Sequence, residues 1–375
     1  MNKSGGKYFI VIIMAISVAA TLMGYVKAEA QWEAKWQQTL EAGKKEGKVA
    51  VYISSLGPAL RKQAPVFKEK FGIEVEVTSG RGNAILSKLR TEKTAELNLA
   101  DVVMGGSNSL QPLNKLGVTE PLDNKLILPE VTNTKLWHTL DSLPWLDGAK
   151  HFLRFYAYPN RDISINTDLV KPGEIQSWQD LLKPPYKGKI VWSDPSVPGS
   201  GFNGFCTLLI NKVTDKNYYL QMVATQDIAL SRDLRQMAEW LARGKYAVAV
   251  SVAGGTMSQF FNAGAHLAYV IVKEGTYLSH DGGIVGIAAK APHPNAAKVF
   301  VNWLFSREGQ EFAQRATGYM SARNDISTEG VNPENRRIAG ERYFDAASSR
   351  DDWMEKDQEK YLALAKEIFG PLIGR

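Results

Sequence analysis

Three short apolar segments in the first third of the chain each end in a turn of small polar residues. They are residues 49–53, 73–77 and 101–104, and apolar residues at helical spacing follow the first two. Apolar runs that alternate with amphipathic helices predict βα units, which place parallel strands side by side in one sheet. Open α/β sheets bind ligands at the edge where the carboxyl ends of such strands meet. The sequence therefore predicts an α/β fold in which these three turns form one wall of a ligand cleft.

The three turns carry side chains that suit an anionic ligand. Ser54 and Ser55 follow the first segment, Arg81 lies in the glycine turn after the second, and Ser107 follows the third. Hydroxyl groups and free backbone N–H groups at a helix N-terminus favour negative charge. Two simpler interpretations stay open: Ser55 only caps the helix that follows it, and Arg81 is a solvated surface charge.

Residues 1–30 have the pattern of a secretory signal peptide. Lys3 and Lys7 precede the apolar residues 8–23, and the small residues Ala28 and Ala30 form the small-x-small pattern of a cleavage site after Ala30. The mature protein is then predicted to be periplasmic. An uncleaved N-terminal anchor is the alternative.

Composition narrows the class of protein. The mature chain of about 345 residues is long enough for two lobes. Its basic residues are dispersed among acids, without the clustered stripe that nucleic-acid binding needs, so no nucleic-acid partner is predicted. Cys206 is the only cysteine, which excludes an internal disulfide and any multi-cysteine metal site.

Two sets of motifs resemble the solute-binding components of ABC importers of the ferric-iron type. The first set is residues 177–182, 185–190, 194–195 and 199–201, and the second is residues 291–298, 303–304 and 306–310. The resemblance spans essentially the whole mature chain. It implies the type II periplasmic-binding-protein fold, with two lobes that are joined by two crossing strands and close on a ligand.

The resemblance also implies a division of the chain and a set of partners. The first lobe is predicted at residues 31–162 plus 283–322, and the second at residues 163–282 plus 323–375, with the first crossing near residues 162–167. The expected partners are a small ligand and the membrane subunits of an ABC permease. A monomer is the family default.

The ligand is not settled by the family. Ferric-binding members use a His, a Glu and a Tyr-Tyr pair, but here the matching positions hold Ser54-Ser55, residues 105–107 and Gly254-Gly255. The Tyr218-Tyr219 pair stands elsewhere and is interpreted as ordinary structure. Ser200 and Gly201 match the turn that holds a phosphate in those relatives. This pattern predicts an anion site without a metal.

Further residues of the second lobe complete the predicted site. Arg232 or Arg235 offers a planar fork of N–H donors for phosphate or carboxylate, although a surface charge is the simpler interpretation. Gly255 and Thr256 follow an apolar strand, where the backbone can approach a ligand closely.

The predicted function is capture of a small organic anion, a phosphate ester, phosphonate or carboxylate, for an ABC importer, without catalysis and without a cofactor. A ferric-iron carrier is the first alternative and a periplasmic hydrolase the second. Residues 199–204 match G-x-G-x-x-G, but Pro195 and Pro198 separate them from the preceding strand, so the dinucleotide fingerprint lacks its context.

Overall fold

The structure is a computed structural model that describes residues 31–139, 141–252, 254–280, 282–346, 350 and 356–372. The predicted signal peptide, residues 1–30, lies outside the described residues. Within the described ranges, no helix has the length and apolar character needed to cross a bilayer.

Strands and helices alternate along most of the chain. The strands are β1 Lys48–Ile53, β2 Glu74–Ser79, β3 Val102–Gly105, β4 Thr119–Glu120, β5 Leu153–Arg154, β6 Tyr158–Asn160, β7 Ile163–Asn166, β8 Ile190–Ser193, β9 Ala229–Ser231, β10 Val248–Val250, β11 Leu267–Tyr269, β12 Thr276–Ser279, β13 Ile284–Ala288 and β14 Tyr343–Asp345. The helices are α1 at residues 31–46, then α2 Gly57–Phe71, α3 Gly82–Thr94, α4 Ser107–Lys115, α5 Pro129–Thr132, α6 Ser200–Ile210, α7 Lys216–Thr225, α8 Leu234–Ala242, α9 Gly254–Asn262, α10 Pro294–Phe305, α11 Arg307–Thr317 and α12 Gln358–Phe369.

The first sheet confirms the predicted βα units. Its strands have the order β2-β1-β3-β13-β4, and β5 also pairs with β13. Strands β2 and β3 run parallel to β1 on either side, while β13 is antiparallel to β3. Buried side chains cover both faces, with α2 and α10 on one face and α3 and α4 on the other. The carboxyl ends of β1, β2 and β3 therefore share one edge.

The second sheet has the order β11-β7-β10-β8-β9. Strands β10, β8 and β9 are parallel, so their carboxyl ends also share one edge. Helices α6, α7 and α12 cover one face and α8 and α9 the other. Two sheets with separate cores confirm the predicted two-lobed α/β fold.

A third, small sheet joins the two lobes. Strand β6 pairs antiparallel with β12, and β14 pairs parallel with β12. Strand β6 lies just before the predicted first crossing, and residues 163–166 are paired on both sides within the second sheet. The crossing strands are short and run side by side, which is the arrangement that a hinge between lobes requires.

Residues 323–337 contact the first lobe, although the prediction assigned them to the second. Arg323 Nη1 donates to the carbonyl of Phe305 (3.1 Å), and Arg337 Nη1 donates to that of Ser321 (2.9 Å). Asn335 Nδ2 donates to the carbonyl of Gly318 (3.1 Å). We therefore propose a boundary after residue 337, and the other predicted boundaries stay predictions.

Candidate functional site

Ser54 and Ser55 lie where three segments of the first lobe meet. The Ser54 N–H donates to the carbonyl of Met104 (3.1 Å), which extends the pairing of β1 with β3. A Cβ atom at Gly105 would stand 2.4 Å from Ser54 Oγ, so a side chain there would require the Ser54 hydroxyl to rotate away. Ser55 Oγ donates to the carbonyl of Gly282 (2.7 Å). The turns after β1 and β3 therefore converge with the turn before β13.

The interpretation of Ser55 as a simple helix cap is wrong. Helix α2 begins after Leu56, and none of the described side chains caps its N-terminus. Pro58 stands in the first turn of the helix. The Ser55 hydroxyl instead bonds to Gly282, a residue 227 positions away. Ser55 is exposed and Ser54 is half-buried, so both remain candidates for ligand contact.

Arg81 and Ser107 stand at the N-termini of two neighbouring helices. Arg81 is the exposed N-cap residue of α3, and Ser107 is the buried first residue of α4. Helices α3 and α4 approach closely here, since a Cβ atom at Gly82 would lie 3.0 Å from Ser109 Oγ. All four predicted residues of the first lobe thus lie at the carboxyl edge of its sheet. Their contact with a ligand stays a prediction.

Helix α6 begins against the end of β8 in the second lobe. Ser200 is its first residue, and the Gly201 N–H donates to Ser193 Oγ (3.2 Å). A Cβ atom at Gly201 would lie 1.9 Å from the Ser193 carbonyl oxygen, so this position requires glycine. Because its amide already bonds to Ser193, Gly201 contributes chiefly by letting the helix N-terminus sit close to the sheet edge. Ser200 is half-buried at that edge.

Arg232 is fixed by a buried carboxylate. It follows β9, and its Nε donates to Asp194 Oδ2 (2.8 Å), where the Asp194 side chain is only 4% exposed. Burial alone would raise the pKa of Asp194, but hydrogen bonds from Ser196 and Arg232 hold that pKa below its ordinary value. The Arg232 side chain is 59% exposed, so its terminal nitrogens are accessible.

Arg235, the alternative to Arg232, has different polar partners. It belongs to helix α8, where Nε pairs with Glu239 (3.4 Å) and Nη1 donates to Gln259 (3.3 Å). Its side chain is 69% exposed. Arg232 is therefore the better placed of the two for a ligand at the ends of β8 and β9.

Gly255 and Thr256 lie in the first turn of α9, which follows β10. The residue directly after β10, Ser251, has a left-handed backbone with φ of 59°. It bonds to the buried Asp162, which precedes β7. Sequence reasoning missed Asp162, Ser251 and Asp194 as parts of this edge. Each is a short polar residue at a strand end, and that position is the signal that points to them.

The Tyr218-Tyr219 pair is confirmed as ordinary structure. Both rings are buried in the second lobe, where Tyr218 Oη donates to the carbonyl of Trp178 (2.9 Å) and Tyr219 Oη accepts from Thr214 (2.9 Å). Burial raises the pKa of both phenols well above the ordinary value. Among the described residues, no group of three or more His, Cys, Asp or Glu side chains is arranged to hold a metal ion.

The fold agrees with a comparison to known families. The family model of bacterial extracellular solute-binding proteins matches residues 62–335. The chain belongs to this family. Members are periplasmic solute-binding components of ABC transporters, which bind small ligands and interact with permease subunits.

Relatives of this solute-binding protein are distant in sequence. An uncharacterized protein from Haemophilus influenzae is 25% identical over 284 residues, which cover 72% of this chain and 75% of the relative. The spermidine/putrescine-binding periplasmic protein of Escherichia coli is 27% identical over 145 residues, or 36% of this chain and 37% of that protein. At these identities the relatives do not carry a ligand over to this chain.

Solved structures of the same fold cover most of this solute-binding protein. The periplasmic binding protein AfuA from Actinobacillus pleuropneumoniae, with exogenous fructose-6-phosphate bound, has a TM-score of 0.59 and 22% identity, covering 85% of this chain and 99% of that one. FutA from Trichodesmium, in complex with iron and citrate, has a TM-score of 0.64 and 17% identity, covering 86% and 99%. These matches confirm the predicted type II fold.

Proposed function

We propose that this solute-binding protein captures a small organic anion between its lobes and delivers it to an ABC permease. The observation that carries the proposal is the position of Arg232. The buried Asp194 fixes its accessible guanidinium at the carboxyl edge of the second sheet. An arginine fork that is already oriented loses less side-chain freedom when it binds phosphate or carboxylate. The ligand would be a phosphate ester, a phosphonate or a carboxylate.

The hydroxyl groups on the opposite lobe support the same class of ligand. Ser54 and Ser55 occupy the turn after β1, and Ser107 opens α4. Ser200 opens α6 in the second lobe. A neutral hydroxyl bonds to an anion without adding charge, and helix N-termini add partial positive charge. AfuA, a structure of the same fold, has a sugar phosphate bound.

Iron is the weaker candidate for the ligand. A trivalent ion needs several anionic oxygen ligands, and Ser54, Ser55 and Ser107 are neutral at ordinary pH. The Tyr218 and Tyr219 phenols are buried in the core of the second lobe.

Export through a signal peptide cut after Ala30 belongs to the same proposal, and the intact mass of the secreted protein tests it.

The proposal predicts which compounds stabilise the protein. Thermal-shift and calorimetric titrations with fructose 6-phosphate, inorganic phosphate, methylphosphonate and citrate should reveal at least one anion that binds and is recovered unchanged. Spermidine and ferric nitrilotriacetate are the controls. Tight binding of either control with no anion bound would contradict the proposal, and conversion of a bound compound would indicate a hydrolase.

Arg232→Ala should weaken binding of the best anion by about tenfold or more, because a lost charge-assisted hydrogen bond costs about 1.5 to 3 kcal/mol. Arg232→Lys should recover only part of this loss, since an ammonium lacks the planar fork. Arg235→Ala is the matched control, because Arg235 bonds to Glu239 and Gln259 on the helix surface. If wild type and Arg232→Ala bound the best anion with equal affinity, Arg232 would not belong to the binding site.

A further inference from the structure

Asp162 is a buried carboxylic acid at the junction of the crossing strands and the second lobe. It lies between β6 and β7 and is 7% exposed. Its Oδ1 atom accepts hydrogen bonds from Ser251 Oγ (3.2 Å) and Asn160 Nδ2 (3.2 Å). Its backbone carbonyl accepts from the Ser251 N–H (2.7 Å). Asp162 thus holds Ser251 through both main chain and side chain.

Ser251 needs such support because its backbone is in a conformation that non-glycine residues rarely adopt. Its φ of 59° turns the chain sharply at the end of β10, three residues before α9 begins. Residues in this region persist only where their surroundings hold them. The turn decides where residues 254–256, which include the ligand candidates Gly255 and Thr256, are placed.

The same hydrogen-bond network reaches both crossing strands and packs against helix α6. Asn160, on β6, donates from Nδ2 to the hydroxyl of Tyr277 on β12. A Cβ atom at Gly204, one turn into α6, would lie 2.6 Å from Ser251 Oγ and 3.2 Å from Asp162 Oδ1. The last glycine of the G-x-G-x-x-G match is therefore explained by close packing against Ser251 and Asp162.

Burial raises the pKa of Asp162 to about 7, although the hydrogen bonds from Ser251 and Asn160 lower it. The adjacent Arg161 does not offset the charge of Asp162, since its guanidinium pairs with the buried Glu341 (3.1 Å). Two neutral phenols also lie near the acid: Tyr277 on β12, which shares the Asn160 amide with Asp162, and Tyr219 on α7. The acid therefore changes charge near neutral pH in a site that disfavours the charged form.

We propose that Asp162 is a positioning residue that fixes residues 254–256 through Ser251 and couples them to the two crossing strands, and that ionisation of its carboxyl weakens anion binding. The anion part of the proposal rests on the proposed function. The hydrogen bonds from Ser251 and Asn160 persist when the carboxyl ionises. The carboxylate, however, adds negative charge behind the residues that would face the ligand, which opposes binding of an anion.

Hydrogen exchange tests the positioning role without any ligand. In Asp162→Ala, the amides of residues 254–262 should exchange at least about tenfold faster than in wild type at about pH 6, because the turn loses its support. Asp162→Asn should restore slow exchange, since it keeps the shape and the acceptor oxygen. Residues 107–115 in the first lobe are the internal reference. Unchanged exchange at residues 254–262 would overturn the proposal.

Ser251→Gly provides a second variant in case Asp162→Ala does not fold. Glycine adopts positive φ without strain, so this change removes the hydroxyl bond to Asp162 and the contact with Gly204 without straining the backbone. Exchange at residues 254–262 should again become faster. If exchange stays as slow as in wild type, the Ser251 hydroxyl has no positioning role.

Sulfate is a suitable probe for the pH effect because its charge is constant near neutral pH. Its affinity for wild type should fall as pH rises from about 6 to about 8.5, and Asp162→Asn should have a flat profile. Parallel profiles in the two proteins would overturn the coupling to the ligand. A wild type that binds sulfate and every panel anion equally poorly would contradict the proposed function, and the exchange experiment would still decide the positioning role.

Discussion

Gly201→Ser should destabilise the second lobe by on the order of 3 kcal/mol and abolish anion binding, because the new Cβ collides with backbone. That atom would lie 1.9 Å from the Ser193 carbonyl oxygen and 2.6 Å from its carbonyl carbon. Backbone at the end of β8 cannot rotate away as a side chain would. The start of α6 must therefore move off the sheet edge and carry Ser200 with it. Denaturant unfolding and anion titration of the same preparation measure the two effects.

Gly199→Ser is the matched control for this substitution. Gly199 is the N-cap residue of α6, and a Cβ atom added there meets nothing within 4 Å. Serine is a favourable N-cap residue, so stability should change by less than about 0.5 kcal/mol. If Gly201→Ser were as stable as Gly199→Ser, the close packing of α6 on β8 would be contradicted.

Asp101→Ala is expected to destabilise the first lobe by about 3 to 5 kcal/mol, because it leaves the buried Ala50 N–H and two partly buried donors of His293 without an acceptor. Asp101 is fully buried, and its Oδ2 accepts from the Ala50 N–H (2.7 Å) and bonds to His293 Nδ1 (2.8 Å). Its Oδ1 accepts from the His293 N–H (2.7 Å). One carboxylate thus joins β1, β3 and the start of α10. Denaturant unfolding followed by tryptophan fluorescence measures the loss.

Asp123→Ala is the control for the removal of a carboxylate from the same lobe. Asp123 pairs with Lys150 at 3.5 Å, and each side chain is 47% exposed. Exposed pairs of this kind contribute about 0 to 1 kcal/mol. If the two aspartate variants lost similar stability, the buried role of Asp101 would be wrong.

The sequence predicted the first sheet well because the information is local there. The apolar residues 49–53 became β1, and the turn after them falls at Ser54 as expected. A buried parallel strand needs a continuous apolar run, and the run is visible without any knowledge of its neighbours. The helical spacing of Leu60, Phe67 and Phe71 is equally local, and all three are buried in α2.

Contacts between residues that are far apart in the chain could not be predicted from the sequence. The bond from Ser55 to Gly282 and the ion pair between Arg232 and Asp194 join residues whose proximity depends on the assembled sheets. The left-handed backbone conformation of Ser251 has no local signal in the sequence, because serine has no preference for positive φ. Its support by Asp162 depends on burial between β6, β10 and α6.

The central claim is that the cleft of this solute-binding protein holds an organic anion. Native mass spectrometry of the protein isolated from its own periplasm, followed by release and identification of the bound molecule, tests it most directly. We expect a one-to-one complex whose released ligand carries a phosphate, phosphonate or carboxylate group and is chemically intact. A ferric ion or a polyamine in the isolated complex would contradict the claim.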